Sequence, residues 1–208
     1  MITNLLFRIK KFVGNVRVTL ILSCVFLIIF IVNLNIGNNV LFNALSGSGF
    51  HKLNGEFYRV FTASLLHGSW LHLIANIVAF VCVGIFIENR LGHWRYLAVF
   101  LVSDIIASIL FYLYYSDCTD GNGSSVGIFA MLAVLLILWL RYSSAFSYRW
   151  YHPALIYILI YFVAANLYRG NHRTMIIHAI GFFVGLVIGL LGIQLKLMYV
   201  KDTKLSLS

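Results

Sequence analysis

Charge is what this chain has least of. Charged residues fill 10% of its 208 positions, and only six are Asp or Glu. A water-facing domain carries about 25% charged residues, so a soluble surface is excluded. With 62% hydrophobic residues and a mean hydropathy of +0.94, lipid must solvate most of the side chains. Proline occurs once, and there is no Pro-rich linker, internal repeat or low-complexity tract to divide the chain. Three cysteines, Cys24, Cys82 and Cys118, make no disulfide framework. Cys24 and Cys82 lie inside apolar runs and read as small hydrophobes. The H-E-x-x-H pattern, a phosphate-binding glycine loop and a dinucleotide fingerprint are all missing, so no metal or cofactor is expected.

What is present is a series of six apolar stretches, roughly 18–36, 66–87, 95–116, 124–141, 153–168 and 174–196. A helix needs about 20 apolar residues to cross the hydrocarbon core. The expected fold is therefore an all-α, polytopic membrane bundle of six transmembrane helices. It divides into a short basic segment at 1–17, a six-helix domain at 18–197 and a tail at 198–208. The "ILSCV" at 21–25 looks like a lipoprotein processing box, but the apolar run continues beyond it, as a retained span does.

The net charge of +9 does not indicate nucleic acid, because the basic residues form short clusters between apolar segments. Eleven of them fall on one side of a six-span topology: Arg8, Lys10, Lys11, Arg17, Arg90, Arg95, Arg141, Arg149, Lys196, Lys201 and Lys204. Four fall on the other: Lys52, Arg59, Arg169 and Arg173. That bias places both termini in the cytoplasm, and the expected location is the plasma membrane. The long outer segment 37–65 interleaves glycines with Leu, Phe, Val and Tyr, as a partly buried structure at the membrane edge does.

Polar groups inside lipid are costly, so each is a functional candidate. His72 and Asn76 are four apart and share one helix face, with His67 five residues earlier. Hydrogen bonding between helices explains such a pair equally well. Gly181, Gly185 and Gly189 leave a stripe of the last span without side chains, and His178 lies at the end of that stripe. "GNGSS" at 121–125 opens the fourth span, where a serine serves either as a helix N-cap or as a nucleophile beside unpaired N–H groups. His178 would supply the base, and His72 and Asn76 would assist the oxyanion donors. Asp104, inside the third span, reads as helix glue or, in a transporter, as part of a polar path.

"YRVFTASLLHGSWLHLIAN", "ENRLG", "GSSVGIF" and "HAIGFFVGLVIG" occur in this order between about 55 and 192, and together they resemble the rhomboid intramembrane serine proteases. The resemblance implies a Ser–His dyad of Ser125 and His178 that works without a carboxylate. It implies an oxyanion hole from His72, Asn76 and the Ser125 backbone N–H. Gly123 would open the G-x-S motif. His67 and Arg59 would play supporting roles, as would Gly181 and Gly185. Val126 stands where the family usually has glycine, and Tyr58 where it usually has tryptophan. The implied substrates are transmembrane proteins, cut in the outer part of their helices within the lipid bilayer. An inactive relative that binds membrane proteins without cutting them is the alternative. Neither the substrate's identity nor the oligomeric state is legible.

Overall fold

In the computed structural model the described residues are 2–37, 40–146, 152–167 and 172–198, with side chains described from Leu6 onward. Arg149, Arg169, Lys201, Lys204 and residues 199–208 of the tail lie outside them. The described chain is helical throughout, its only β feature a single bridge between loops.

The segment at 1–17 is a helix, α1 (Ile2–Asn15), and not merely a basic leader. Leu6, Ile9, Phe12 and Val13 recur at three- and four-residue spacing and are exposed, with Arg8, Lys10 and Lys11 between them. α2 (Arg17–Ile36) follows directly. Its N-terminus meets the far end of α5 (Trp70–Leu91), where Glu88 is fully buried. The Glu88 carboxylate accepts the backbone N–H groups of Val18 at 2.8 Å and Thr19 at 2.9 Å, and the Thr19 hydroxyl at 2.6 Å. His93 Nδ1 lies 2.6 Å from Oε1, the oxygen that also accepts from Val18. A side chain from one helix thus caps another, satisfying donors that no intrahelical carbonyl can reach. The second span accordingly continues past the sequence estimate of 87 to Leu91, and "ENRL" is buried helix.

A Glu88→Ala substitution would leave those α2 donors buried and unpaired. Hydrogen bonds to charged groups contribute about 1.5–3 kcal/mol each. The expected result is a clear fall in the thermal unfolding midpoint in detergent, and an unchanged midpoint would refute the capping role.

After Gly92, at φ +87°, the chain reverses into α6 (His93–Tyr114). α7 (Ser125–Arg141), α8 (Pro153–Leu167) and α9 (His172–Gln194) complete the bundle. α2, α5, α6 and α9 are long and apolar enough to cross a membrane, and α7 and α8 are shorter apolar helices.

α7 is the central element. Every residue from Ser125 to Leu135 is buried. The glycine stripe explains how α9 reaches it. A Cβ at Gly181 would stand 2.6 Å from the Val126 carbonyl oxygen, and one at Gly185 would run into the Ala130 backbone. Val126 fits this contact, packing with Ala107 of α6 and Val184 of α9.

The segment between α2 and α5 is folded, as its composition predicts. It contains α3 (Val40–Leu45), α4 (Arg59–Thr62) and two 3-10 turns, at Phe50–Lys52 and Ala63–Leu65. Leu53 and Val60 are buried against Phe111, Tyr112 and Cys118. Arg59 stitches the segment together through Glu56 at 2.7 Å and the Asn43 carbonyl at 2.8 Å. That guanidinium, with the Tyr58 hydroxyl, holds the exposed Glu56 carboxyl below its ordinary pKa.

Main-chain bonds then clasp this segment to the loop before α7. Gly47 and Gly121 exchange N–H···O bonds at 2.7 and 2.9 Å, Gly49 N–H donates to Cys118 at 2.9 Å, and Gly123 N–H donates to Ala63 at 3.0 Å.

Candidate active site

Ser124 and Ser125, adjacent in sequence, have different surroundings. Ser124 is the residue before α7, is completely buried and makes no side-chain cap. Its Oγ lies 3.4 Å from His67 Nε2. Ser125 is the first helical residue, and its Oγ lies 3.0 Å from His178 Nε2 on α9. The backbone approach permitted by Gly181 and Gly185 makes this distance possible, since His178 is one turn before Gly181 on the same helix. The imidazole is 3% exposed and lies flat on the Phe129 ring, with centroids 4.1 Å apart at 7°. Phe129 is one turn beyond Ser125 on α7, so a single helix supplies both the hydroxyl and the platform for its partner.

The other pole of the site comes from α5. Ser69 caps this helix, accepting the His72 N–H at 3.2 Å. Asn76 is 1% exposed; its Oδ1 accepts the Tyr161 hydroxyl at 2.7 Å, and its Nδ2 finds no hydrogen-bond partner among the described residues. That amide faces Gly123. A Cβ on Gly123 would stand 2.6 Å from His72 Nε2 and 3.5 Å from Asn76 Nδ2. Gly123 also has φ +108°, a conformation that L side chains rarely adopt. With only a hydrogen at this position, the His72 ring and the Nδ2 group of Asn76 come up against the loop backbone two residues before Ser125.

His67 is 2% exposed, packed on Phe26 of α2 and edge-on to His72 with centroids 5.1 Å apart. Asp104 is buried on α6, and its Oδ1 accepts the Gly127 N–H at 3.1 Å. The expected helix glue thus takes the form of a second carboxylate cap, at the N-terminus of the helix that bears the serines. Arg59 is placed in the segment between α2 and α5, and its hydrogen bonds go to Glu56, Asn43 and Ser46 rather than to Ser125 or His178. Among the described residues no cluster of His, Cys, Asp or Glu is arranged to hold a metal.

A family model, the Rhomboid domain, matches residues 54–195, which include all of these groups. The chain belongs to the rhomboid family. With its apolar helices, that makes it a multi-pass membrane protein. This rhomboid is 31% identical over 141 residues to RHOMBOID-like protein 7 of Arabidopsis thaliana, covering 65% of the chain and 43% of the relative. It is 27% identical over 154 residues to Putative rhomboid protease YdcA of Bacillus subtilis, covering 74% of the chain and 76% of that protein. A third relative is named Inactive RHOMBOID-like protein 8, also from Arabidopsis, at 31% over 97 residues, 45% of the chain and 28% of the relative. The chain thus spans less than half the length of the two plant relatives.

Sequence reasoning missed two polar residues of α8 that bond to site residues. Tyr161 holds Asn76, and Asn166 Oδ1 lies 3.1 Å from His178 Nδ1. The same rule that singled out His72 and Asn76, polar atoms inside an apolar span, would have flagged Asn166 in "VAANL".

Proposed function

We propose that this rhomboid is an intramembrane serine endopeptidase, its activity resting on residues 18–197. The observation that carries the reading is the 3.0 Å Ser125–His178 pair, together with the buried Asn76 Nδ2, which has no partner among the described residues. His178 Nε2 takes the Ser125 proton as Oγ attacks a substrate carbonyl carbon. The carbonyl oxygen becomes an oxyanion, stabilised by Asn76 Nδ2, the His72 ring and the Ser125 N–H, which has no intrahelical acceptor. His178 then gives its proton to the departing amine. It next deprotonates a water that cleaves the acyl-enzyme, leaving a new carboxyl terminus and the serine restored. No cofactor enters this sequence.

The substrates we propose are transmembrane proteins, whose helix unwinds locally and is cut near the outer end of its span. The basic-residue bias supports a plasma-membrane location with both termini in the cytoplasm. The name of one relative supplies the second reading, a non-cutting protein that binds membrane partners.

One experiment separates the two readings. The purified chain in detergent is treated with a fluorophosphonate, and the modified residue is located by mass spectrometry. The expected adduct is on Ser125 alone. A folded chain that stays unmodified, or carries the adduct on Ser124, would overturn the protease reading.

A further inference from the structure

α8 lies at the side of the site without contributing either half of the reacting pair. Its inner face buries Ala154, Leu155, Ile158 and Tyr161, while Leu159, Ile160, Val163 and Leu167 are exposed. Yet it sends one hydrogen bond to each pole of the site, and the direction of each bond has a chemical consequence.

Asn166 donates its Nδ2 to the Phe162 carbonyl one turn earlier, at 2.7 Å. This bond fixes which end of the amide faces outward, so Oδ1 is the atom 3.1 Å from His178 Nδ1. An amide oxygen only accepts. Nδ1 must therefore carry the imidazole proton, and Nε2 is left with the bare lone pair that faces Ser125 Oγ. The opposite tautomer would put a hydrogen against the serine and disable the base. The second bond works in parallel. The Tyr161 hydroxyl meets Asn76 Oδ1 at 2.7 Å, which turns Nδ2 toward Gly123, two residues before Ser125.

We propose that Asn166 and Tyr161 are positioning residues of this site, Asn166 setting the tautomer of His178 and Tyr161 the orientation of the Asn76 amide. The inference rests on the protease reading given above and extends the dyad by a third, neutral member. Asn166 holds the ring as the buried carboxylate does in a Ser-His-Asp triad, without adding a charge to the membrane interior.

The test uses the full chain in lipid nanodiscs. Histidine-selective 15N spectra, with His178 assigned by its loss in His178→Ala, are expected to show a protonated Nδ1 in the wild type. In Asn166→Leu the two tautomers should mix. A His178 already protonated on Nε2 in the wild type would overturn the proposal whatever the activity.

Rates of Ser125 modification by the fluorophosphonate provide the second readout. Asn166→Leu is expected to slow modification about 10- to 100-fold, short of the ~10⁴ lost when a serine protease is held in the wrong tautomer. Asn166→Asp keeps an acceptor, so it should retain modification. Tyr161→Phe should lower the maximal rate about tenfold and leave probe binding unchanged, because only the developing oxyanion meets Asn76 Nδ2.

The two readings fail differently. A wild type that is never modified on Ser125 removes the protease reading. A wild type that reacts, with Asn166→Leu and Tyr161→Phe matching its rate and pH profile, removes only the role of α8.

Discussion

Replacing Ser125 with alanine is expected to stop peptide-bond hydrolysis altogether. In serine proteases the loss of the nucleophile costs on the order of 10⁶ in rate, and loss of the histidine costs about as much. His178→Ala should therefore look like Ser125→Ala, and the double variant should be no worse than either. Such non-additivity marks groups that act as one unit. Ser124→Ala should keep most of the activity, because that hydroxyl is buried toward His67 on the other side of the α7 entry. The measurement is cleavage in proteoliposomes of a single-span substrate that the wild type cuts. Substantial activity in folded Ser125→Ala, or a Ser124→Ala variant as dead as Ser125→Ala, would sink the assignment.

The second large effect lies away from the reacting atoms. Gly185→Val is expected to abolish assembly of a competent site, and Gly185→Ala to damage it severely. The obstacle is main chain. A Cβ at 185 runs into the Ala130 carbonyl and Cα of α7, and neither can rotate aside. Overpacking a core costs about 1–3 kcal/mol where side chains can adjust, and here two helix axes would have to separate. His178 is two turns away on the same helix, so its 3.0 Å contact with Ser125 would open as α9 moved.

Gly192→Ala on the same helix is the control. The atoms nearest its Cβ would be those of the Met198 side chain, with Cγ and Sδ at 2.8 Å, and a thioether chain can shift. Thermal unfolding in detergent and Ser125 modification, followed side by side, should fall together for Gly185→Val and stay near wild type for Gly192→Ala. Equal behaviour of the two variants would mean that the stripe is not the docking contact.

The bundle itself was legible because a run such as "TLILSCVFLIIFIV" has no alternative environment to lipid. The ends of the spans were less so. Glu88 reads as the end of the second span and Arg90 as loop, since charges usually stop a span; both are buried in helix, with partners from α2 and the 143–145 turn. α1 went unnoticed as a helix because its basic residues drew the reading toward membrane orientation, although Leu6, Ile9 and Phe12 already had helical spacing.

The pairing of Ser125 with His178 came into view through two separate motifs, each local in sequence. Their 3.0 Å approach depends on how α7 and α9 pack, which only the glycine stripe hinted at. Tyr161 and Asn166 had no motif at all. Their partners lie 85 and 12 residues away, and such pairings are decided by packing alone.

The clasp between the two outer segments has a consequence for how such a molecule can change over generations. Its bonds run from main chain to main chain, so they do not depend on which side chain each residue carries. The exposed positions along these loops, unlike buried Leu53, Val60 and Cys118, are thus free to vary in size, charge and shape while the serine stays where it is. The glycines of the clasp are fixed as well. A methyl on Gly47 or Gly121 meets the Tyr112 hydroxyl, and one on Gly49 meets the backbone of Ser116. A scaffold pinned in this way separates what is inherited unchanged from what can be tried anew. New loop surfaces can be sampled without putting the reaction at risk.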